Sequence, residues 1–274
     1  MNAEKNWSLG LLGYPLSHSR SPLIHNAALR ALNLGGEYRL YPVAPQDQAG
    51  LQALLGRLRQ AELDGLNITI PHKQAVFGEI DRLTPTAQAV GAVNTLFMQA
   101  GELWGDNTDV PGFLADLTPR LAQAAIPAGR ALVLGAGGSA RAVVYALADG
   151  WQVSVAARRP EQAEALRPLG AQQVLGFNDL SAAGSFNLVV NTTPLGMHPN
   201  TAGSPWPDGL PLPAGAFIYD LVYNPAETTL LLQARQSGLA YANGLGMLVE
   251  QAALAFERWT GLAASRPAIY AALG

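Results

Sequence analysis

Residues 130–150 read RALVLGAGGSARAVVYALADG. The apolar stretch Ala131–Leu134 has no polar alternation, as in a strand covered on both faces. Gly135-Ala136-Gly137-Gly138-Ser139-Ala140 follows, and the pattern then becomes helical. This order of strand, glycine turn and helix fits the dinucleotide fingerprint G-x-G-x-x-A. Gly135 allows the tight turn, Gly137 lets backbone approach a pyrophosphate, and Ala140 lets helix and strand pack closely. The pyrophosphate is expected on the helix N-terminus, where unpaired N–H groups point outward. No Lys-Ser/Thr pair follows, so the loop is not that of a nucleoside triphosphatase. A merely tight turn is the plain alternative.

The next strand end separates the cofactors. An NAD site usually places an acidic residue about 20 residues beyond the glycines, for the ribose 2′-hydroxyl. Here VSVAARRPE (153–161) puts Ala157, Arg158 and Arg159 there. A 2′-phosphate calls for guanidinium, which offers planar, charge-assisted hydrogen bonds. The expectation is NADP, with two solvated surface arginines as the alternative.

Strands are also expected in QVSVAARR (152–159), FNLVVNTTPLG (186–196) and AFIYDLVYNP (216–225), each ending in a polar or Gly/Pro-rich loop. Alternation of such strands with helices implies a parallel sheet with helices on its faces. Upstream, WSLGLLG, EYRLYPV and GLNITI read as strands. SPLIHNAALRALNL reads as a helix with Ser21 as N-cap and Pro22 first in the helix. HKQAVFGEI reads as a short helix, AVNTLFMQAGELWGDN as a hairpin turning at Ala100-Gly101, and TDVPGFLADLTPRLAQA and GLGMLVEQAALAFERWTG as helices.

The whole chain has 274 residues, 49% apolar and 14% charged, against about 25% charged in an average domain. Two medium domains with a large buried fraction are expected. A net charge of −3 leaves no electrostatic footprint for nucleic acid or an anionic membrane. Without cysteine there is no disulfide, thiolate metal site or Cys nucleophile, and the four histidines lack metal-ligand spacing. No metal is expected. No apolar run approaches the ~18 residues of a membrane span, and the N-terminus lacks a cleavage site, so a soluble cytoplasmic protein is expected.

Positive charge is written as 15 arginines and two lysines, Lys5 and Lys73. Lys73 follows Ile-Pro-His where a strand gives way to a helix. Arginine does not deprotonate in proteins, whereas lysine exchanges a proton and is retuned by its surroundings.

Several motifs stand in one order: GYPLSHSRSPLIHN (13–26), NITIPHK (67–73), GAVNTL (91–96), GDNTD (105–109), GAGGSARAV (135–143), NTTPLGM (191–197), DLVYNP (220–225) and GMLVEQAALAF (246–256). Together they resemble the shikimate dehydrogenases, which reduce 3-dehydroshikimate with NADPH. The resemblance implies a catalytic pair, Lys73 and Asp109. It implies that Ser19 and Ser21 hold the substrate carboxylate, and two hydroxyls beside a helix N-terminus do suit an anion. Asn67, Thr69 and Asn94 match ligands of the ring hydroxyls, and Asn67 and Thr69, two apart on a strand, share a face. Gln251 and Tyr223 match substrate contacts, although Gln251 on its own reads equally as a buried structural amide. Asn191, Thr192, Thr193, Leu221, Gly244 and Met247 match residues bordering the nicotinamide. Arg20 reads as solvated, His72 as structural, and Asp106 as an N-cap or turn residue.

The implied architecture is α/β. Residues 1–108 form an N-terminal substrate domain onto which helices 241–274 fold back. Residues 109–240 form a Rossmann-type, doubly wound NADP domain, and a cleft lies between the two. The implied protein is a monomer or homodimer serving chorismate and aromatic amino acid biosynthesis, with shikimate as its small-molecule partner. One departure stands out: the family commonly has Asn-Arg-Thr where this chain has Ala157-Arg158-Arg159. Two alternatives remain: a quinate/shikimate dehydrogenase paralogue with relaxed substrate or NAD use, and a cofactor-binding regulator without turnover.

Overall fold

The computed structural model describes residues 5–274. The chain divides into two compact units. One runs through Gly112 and takes in Val249–Gly274, and the other is Phe113–Leu248.

The first unit begins with β1 (Asn6–Gly13), α1 (Ser21–Ala31), β2 (Gly35–Pro42) and α2 (Gln48–Arg59). In α2 the leucines 51, 54, 55 and 58 recur at helical spacing and are all buried, while the Asp47 carboxylate caps the helix by accepting from Gly50 N–H at 2.8 Å. Next come β3 (Gly65–Ile68), α3 (His72–Ala75), β4 (Arg82–Leu83), α4 (Pro85–Val90), β5 (Thr95–Gln99), β6 (Glu102–Asp106) and the start of α5 (Asp109–Gln123). The β5–β6 hairpin turns where expected, with positive φ at Ala100 (52°) and Gly101 (79°), the conformation a two-residue hairpin loop requires. The strands form one sheet in the order β2-β1-β3-β5-β6-β4. It is mixed, because β5 runs antiparallel to both β3 and β6.

Helix α1 starts one residue earlier than expected. Its N-cap is Arg20, Ser21 is the first helical residue, and the Ser19 hydroxyl oxygen accepts from Ser21 N–H at 3.3 Å.

The second unit carries the rest of α5, then β7 (Arg130–Leu134), α6 (Gly138–Leu147), β8 (Gln152–Ala157), α7 (Pro160–Ala163), β9 (Ala171–Gly176), β10 (Leu188–Asn191), β11 (Phe217–Asp220), α8 (Thr229–Gln236), β12 (Tyr241–Asn243) and the first turn of α9 (Leu245–Thr260). All its strand pairs are parallel, in the order β12-β11-β10-β7-β8-β9. Counted from β7 this is 3-2-1-4-5-6, the doubly wound dinucleotide-binding order. Strands β10 and β11 are buried on both faces, which explains their unbroken apolar runs. The sequence reading misses β9 and β12. Both lie at sheet edges, β9 is glutamine-rich and β12 has three residues, so neither shows a strand period.

The remainder of α9 and α10 (Arg266–Leu273) belong to the first unit. Trp259 on α9 donates its indole N–H to Leu96 O at 2.9 Å. A Cβ on Gly65 would run into that indole, so the glycine in β3 is what lets the ring lie against the strand. Among the described residues no helix is long and apolar enough to cross a membrane.

Candidate active site

In the first unit β1, β3 and β6 point the same way and β5 runs against them. The ends of β1, β3 and β6 and the start of β5 therefore share one sheet edge. The serines follow β1, Asn67 and Lys73 lie at and beyond the end of β3, Asn94 precedes β5, and Asp109 follows β6. One edge thus gathers residues 90 positions apart.

Lys73 Nζ lies 2.5 Å from Asp109 Oδ2, with the side chains 14% and 7% exposed. Asp109 opens α5, where the helix N-terminus favours negative charge. Its other oxygen accepts from Asn94 Nδ2 at 2.9 Å. The α5 N-terminus is capped by Asn107, whose Oδ1 accepts from Asp109 N–H (3.1 Å) and Val110 N–H (3.3 Å). The sequence signal for that cap was an Asn two residues before a helix. On the other side of the pair, Val93 N–H donates to Lys73 O at 2.8 Å, binding α3 to the residue before Asn94.

Asn94 is the junction of the site. Its Nδ2 faces three acceptors, Thr108 Oγ1 (2.9 Å), Asp109 Oδ1 (2.9 Å) and Gln251 Oε1 (3.5 Å), while its Oδ1 accepts from Thr108 N–H at 2.8 Å. Gln251 is brought there by glycine: a Cβ on Gly112 would come within 2.7 Å of the Gln251 backbone nitrogen, so α5 and α9 touch at backbone distance. Asn67 is equally committed. Its Oδ1 accepts from the Tyr38 hydroxyl at 2.8 Å, and its Nδ2 donates to Asn94 O and Thr95 Oγ1, both at 3.1 Å. Thr69 lies beyond the end of β3 and is half-buried.

Tyr38 escaped the sequence reading, which took it only as a strand residue. Its ring stacks on His25 at 4.2 Å and 7°. Burial pushes the Tyr38 hydroxyl well above its ordinary range, opposed by Ser21. Burial also pushes His25 down to about 3, opposed in part by the neighbouring Asn67 amide. Both groups are therefore neutral across the physiological range, and Tyr38 remains a hydrogen-bond donor.

Three neighbouring residues are tied into the fold. Arg20, expected in solvent, is half-buried and donates from Nη1 to Leu273 O at 3.2 Å, at the C-terminus of α10 where a cation is favoured. Asp106 accepts from the Thr84 hydroxyl (2.6 Å) and pairs with Arg258 on α9 (2.8 Å). His72 is buried with Nε2 2.8 Å from Val43 O, as a structural residue would be.

In the second unit the glycines differ in their reasons. Gly135 has φ +111°, and a Cβ there would lie 2.7 Å from Thr192 Oγ1. Gly137, the N-cap of α6, has φ −86°, open to any residue, and a Cβ there would meet nothing within 4 Å. The protein itself does not require Gly137; a ligand seated on the α6 N-terminus, at Gly138, Ser139 and Ala140, would. Ala140 is fully buried against the strand, and Ala136 completes the turn. Gly135 N–H donates to Ala156 O at 2.8 Å, so the loop is bound to the end of β8. Just beyond, Arg158 and Arg159 are exposed, and neither has an ion-pair partner among the described residues. The cradle and the two guanidiniums fit a dinucleotide carrying an extra phosphate.

Asn191 and Thr193 form a turn of their own. Asn191 Oδ1 accepts from Thr193 N–H and Oγ1, both at 2.8 Å, while the Thr192 hydroxyl donates to Leu134 O at 2.7 Å, beside the glycine loop. Leu221 N–H donates to Asn191 O. A Cβ on Gly244 would collide with Leu221 O, which holds the start of α9 and the buried Met247 close to this strand end. Tyr223 is half-buried in the same unit.

Residues 11–96 match the model of the shikimate dehydrogenase substrate binding domain, and residues 244–273 that of the shikimate 5′-dehydrogenase C-terminal domain. A Salinibacter ruber protein named shikimate dehydrogenase (NADP+) is 44% identical, over 96% of this chain and 95% of its own length. The chain belongs to the shikimate dehydrogenase family. A Thermus thermophilus shikimate dehydrogenase, solved with NADP(H) and shikimate, superposes with a TM-score of 0.85 at 39% identity, covering 97% of this chain and 98% of that one. The fold also extends to a relative of different specificity. A Corynebacterium glutamicum quinate dehydrogenase solved with NAD reaches a TM-score of 0.86 at 32% identity, with 98% of each chain covered.

Proposed function

We propose that this chain is an oxidoreductase that reduces 3-dehydroshikimate to shikimate with NADPH, reversibly, as a cytoplasmic enzyme of chorismate and aromatic amino acid biosynthesis, acting as a monomer or homodimer. The observation that carries this reading is the buried Lys73–Asp109 pair at 2.5 Å, in a chain whose only other lysine is Lys5. When bound, the cofactor supplies or accepts hydride. A ketone so reduced leaves an alkoxide that needs a proton, and an ammonium can give one where a guanidinium cannot.

Lys73 protonates the developing C3 alkoxide and takes the proton back in the reverse direction. Asp109, itself held by Asn94, orients the ammonium. The Ser19 and Ser21 hydroxyls at the start of α1 hold the substrate carboxylate. Both Asn67 N–H bonds are already used, so Asn67 meets a ring hydroxyl as an acceptor, through the second lone pair of Oδ1. Thr69, Asn94, Gln251 and Tyr223 meet the remaining polar positions. The α6 N-terminus takes the pyrophosphate and Arg158 and Arg159 the 2′-phosphate, while Asn191, Thr192, Thr193, Leu221, Gly244 and Met247 border the nicotinamide. Substrate and cofactor domains correspond in this reading to the first and second units.

Initial rates of NADP+ and NAD+ reduction with shikimate and with quinate test the reading. Shikimate with NADP+ is expected to have the highest kcat/KM. Preference for quinate or NAD+ would favour the quinate dehydrogenase alternative, and no turnover with any pair would favour a binding protein.

A further inference from the structure

Among the described residues four aspartates are buried: Asp106, Asp109, Asp116 and Asp220. Three have a cationic partner: Asp106 pairs with Arg258, Asp109 with Lys73 and Asp116 with Arg120. Asp220 has none. It ends β11 with 0% exposure, directly beside Asn191 at the end of β10. Its bonds all come from neutral donors: Asn191 Nδ2 (2.8 Å) and Val222 N–H (3.0 Å) to Oδ1, and the Thr228 hydroxyl (2.6 Å) to Oδ2.

Hydrogen bonding alone does not call for a carboxylate here. An asparagine could keep both bonds to Oδ1, and the Thr228 hydroxyl could accept an N–H where it now donates. An ionised group without a counter-charge carries a desolvation cost that an amide avoids. Burial accordingly pushes Asp220 up to about 6, with Thr228, Val222 and Asn191 opposing; at pH 7 and above it is mainly ionised.

The position gives the charge a use. Asp220 holds Asn191, which shapes the 191–193 turn, and it holds Val222, next to Leu221. Both segments border the nicotinamide in the function proposed above, on which this inference rests. In open parallel sheets the ligand lies outside these carboxyl strand ends. The oxidised nicotinamide ring is a cation and the reduced ring is neutral. We propose that Asp220 is the missing counter-charge for oxidised cofactor: its carboxylate acts through space to favour NADP+ over NADPH, and so favours hydride departure toward the ketone.

Equilibrium titration of NADP+ and NADPH onto wild type, Asp220→Asn and Thr228→Val at pH 8 tests this. Asp220→Asn is expected to weaken NADP+ by ~3–10-fold, a modest charge–charge effect at protein dielectric, while changing NADPH by less than about twofold. Thr228→Val loosens the same strand end but keeps the charge, and should weaken both forms alike. An unchanged NADP+/NADPH ratio in Asp220→Asn, or an equal shift of that ratio in Thr228→Val, would overturn the inference. If Asp220→Asn does not fold, Asp220→Ser serves for the same comparison. Failure of wild type to bind either nucleotide would instead refute the cofactor-site reading.

Discussion

Replacing Lys73 by methionine removes the ammonium and keeps most of the side-chain length. The ion pair it breaks is 2.5 Å long, between side chains only 14% and 7% exposed. Deleting one partner of a buried pair typically costs ~3–5 kcal/mol, because the other charge is left uncompensated. Asp109 keeps the Asn94 bond at 2.9 Å and its place at the α5 N-terminus, worth ~0.3–1 kcal/mol. The expected loss is therefore at or below the lower end, ~2–3 kcal/mol. Lys73→Met/Asp109→Asn removes the stranded charge and should recover most of it. Lys73→Arg keeps a cation and should stay within ~1 kcal/mol of wild type. Activity should divide the variants differently: all three should lose at least ~10²-fold in kcat for shikimate oxidation, the low end for losing a general acid/base. Urea denaturation gives the stabilities, and initial rates with NADP+ and shikimate give the turnover. Near-normal kcat in Lys73→Arg would show that Lys73 acts only as a fixed charge. Unchanged stability in Lys73→Met would show that Asp109 does not depend on the pair.

Gly137→Val should leave the melting temperature within a few degrees of wild type, since nothing lies within 4 Å of the added Cβ, yet abolish measurable NADPH binding by calorimetry; retained affinity would refute the cradle. Arg158→Ala/Arg159→Ala should raise KM for NADPH by ~10-fold or more at low salt, as expected on losing charge-assisted contacts. NADH kinetics in that variant should stay nearly unchanged, and parallel losses for both cofactors would mean that the arginines shape the loop. Asp220 makes stability depend on pH in the less usual direction. Its folded value, about 6, lies above the 3.8 of the free side chain, so the folded state binds more protons between them. Its contribution is fully present below about pH 4 and is lost as pH rises through 6, a change of ~3 kcal/mol at 1.36 kcal/mol per unit. The difference in unfolding free energy between wild type and Asp220→Asn should show that slope from pH 4 to 7, and a flat difference would refute it.

What the sequence determined is local. The glycine loop was legible because Gly135 needs a backbone conformation other residues avoid and because strand and helix periods abut there. The hairpin at Ala100-Gly101 was legible from its turn residues. Lys73 stood out through composition, and the family through many motifs in one order. The 3-2-1-4-5-6 strand order, the edge strands β9 and β12, and the mixed sheet of the first unit came only with the tertiary structure. Strand pairing is chosen by long-range packing, and a three-residue edge strand carries no period to read. The same limit hid the partners of the polar groups. Tyr38 reaches Asn67 across 29 positions, Arg20 reaches Leu273 across 253 and Arg258 reaches Asp106 across 152. That Asp220 alone among the buried aspartates of the described residues lacks a cationic partner is likewise invisible in Asp-Leu-Val-Tyr, because a buried charge is compensated by whatever the fold brings beside it, and its neighbours in sequence do not decide what that is.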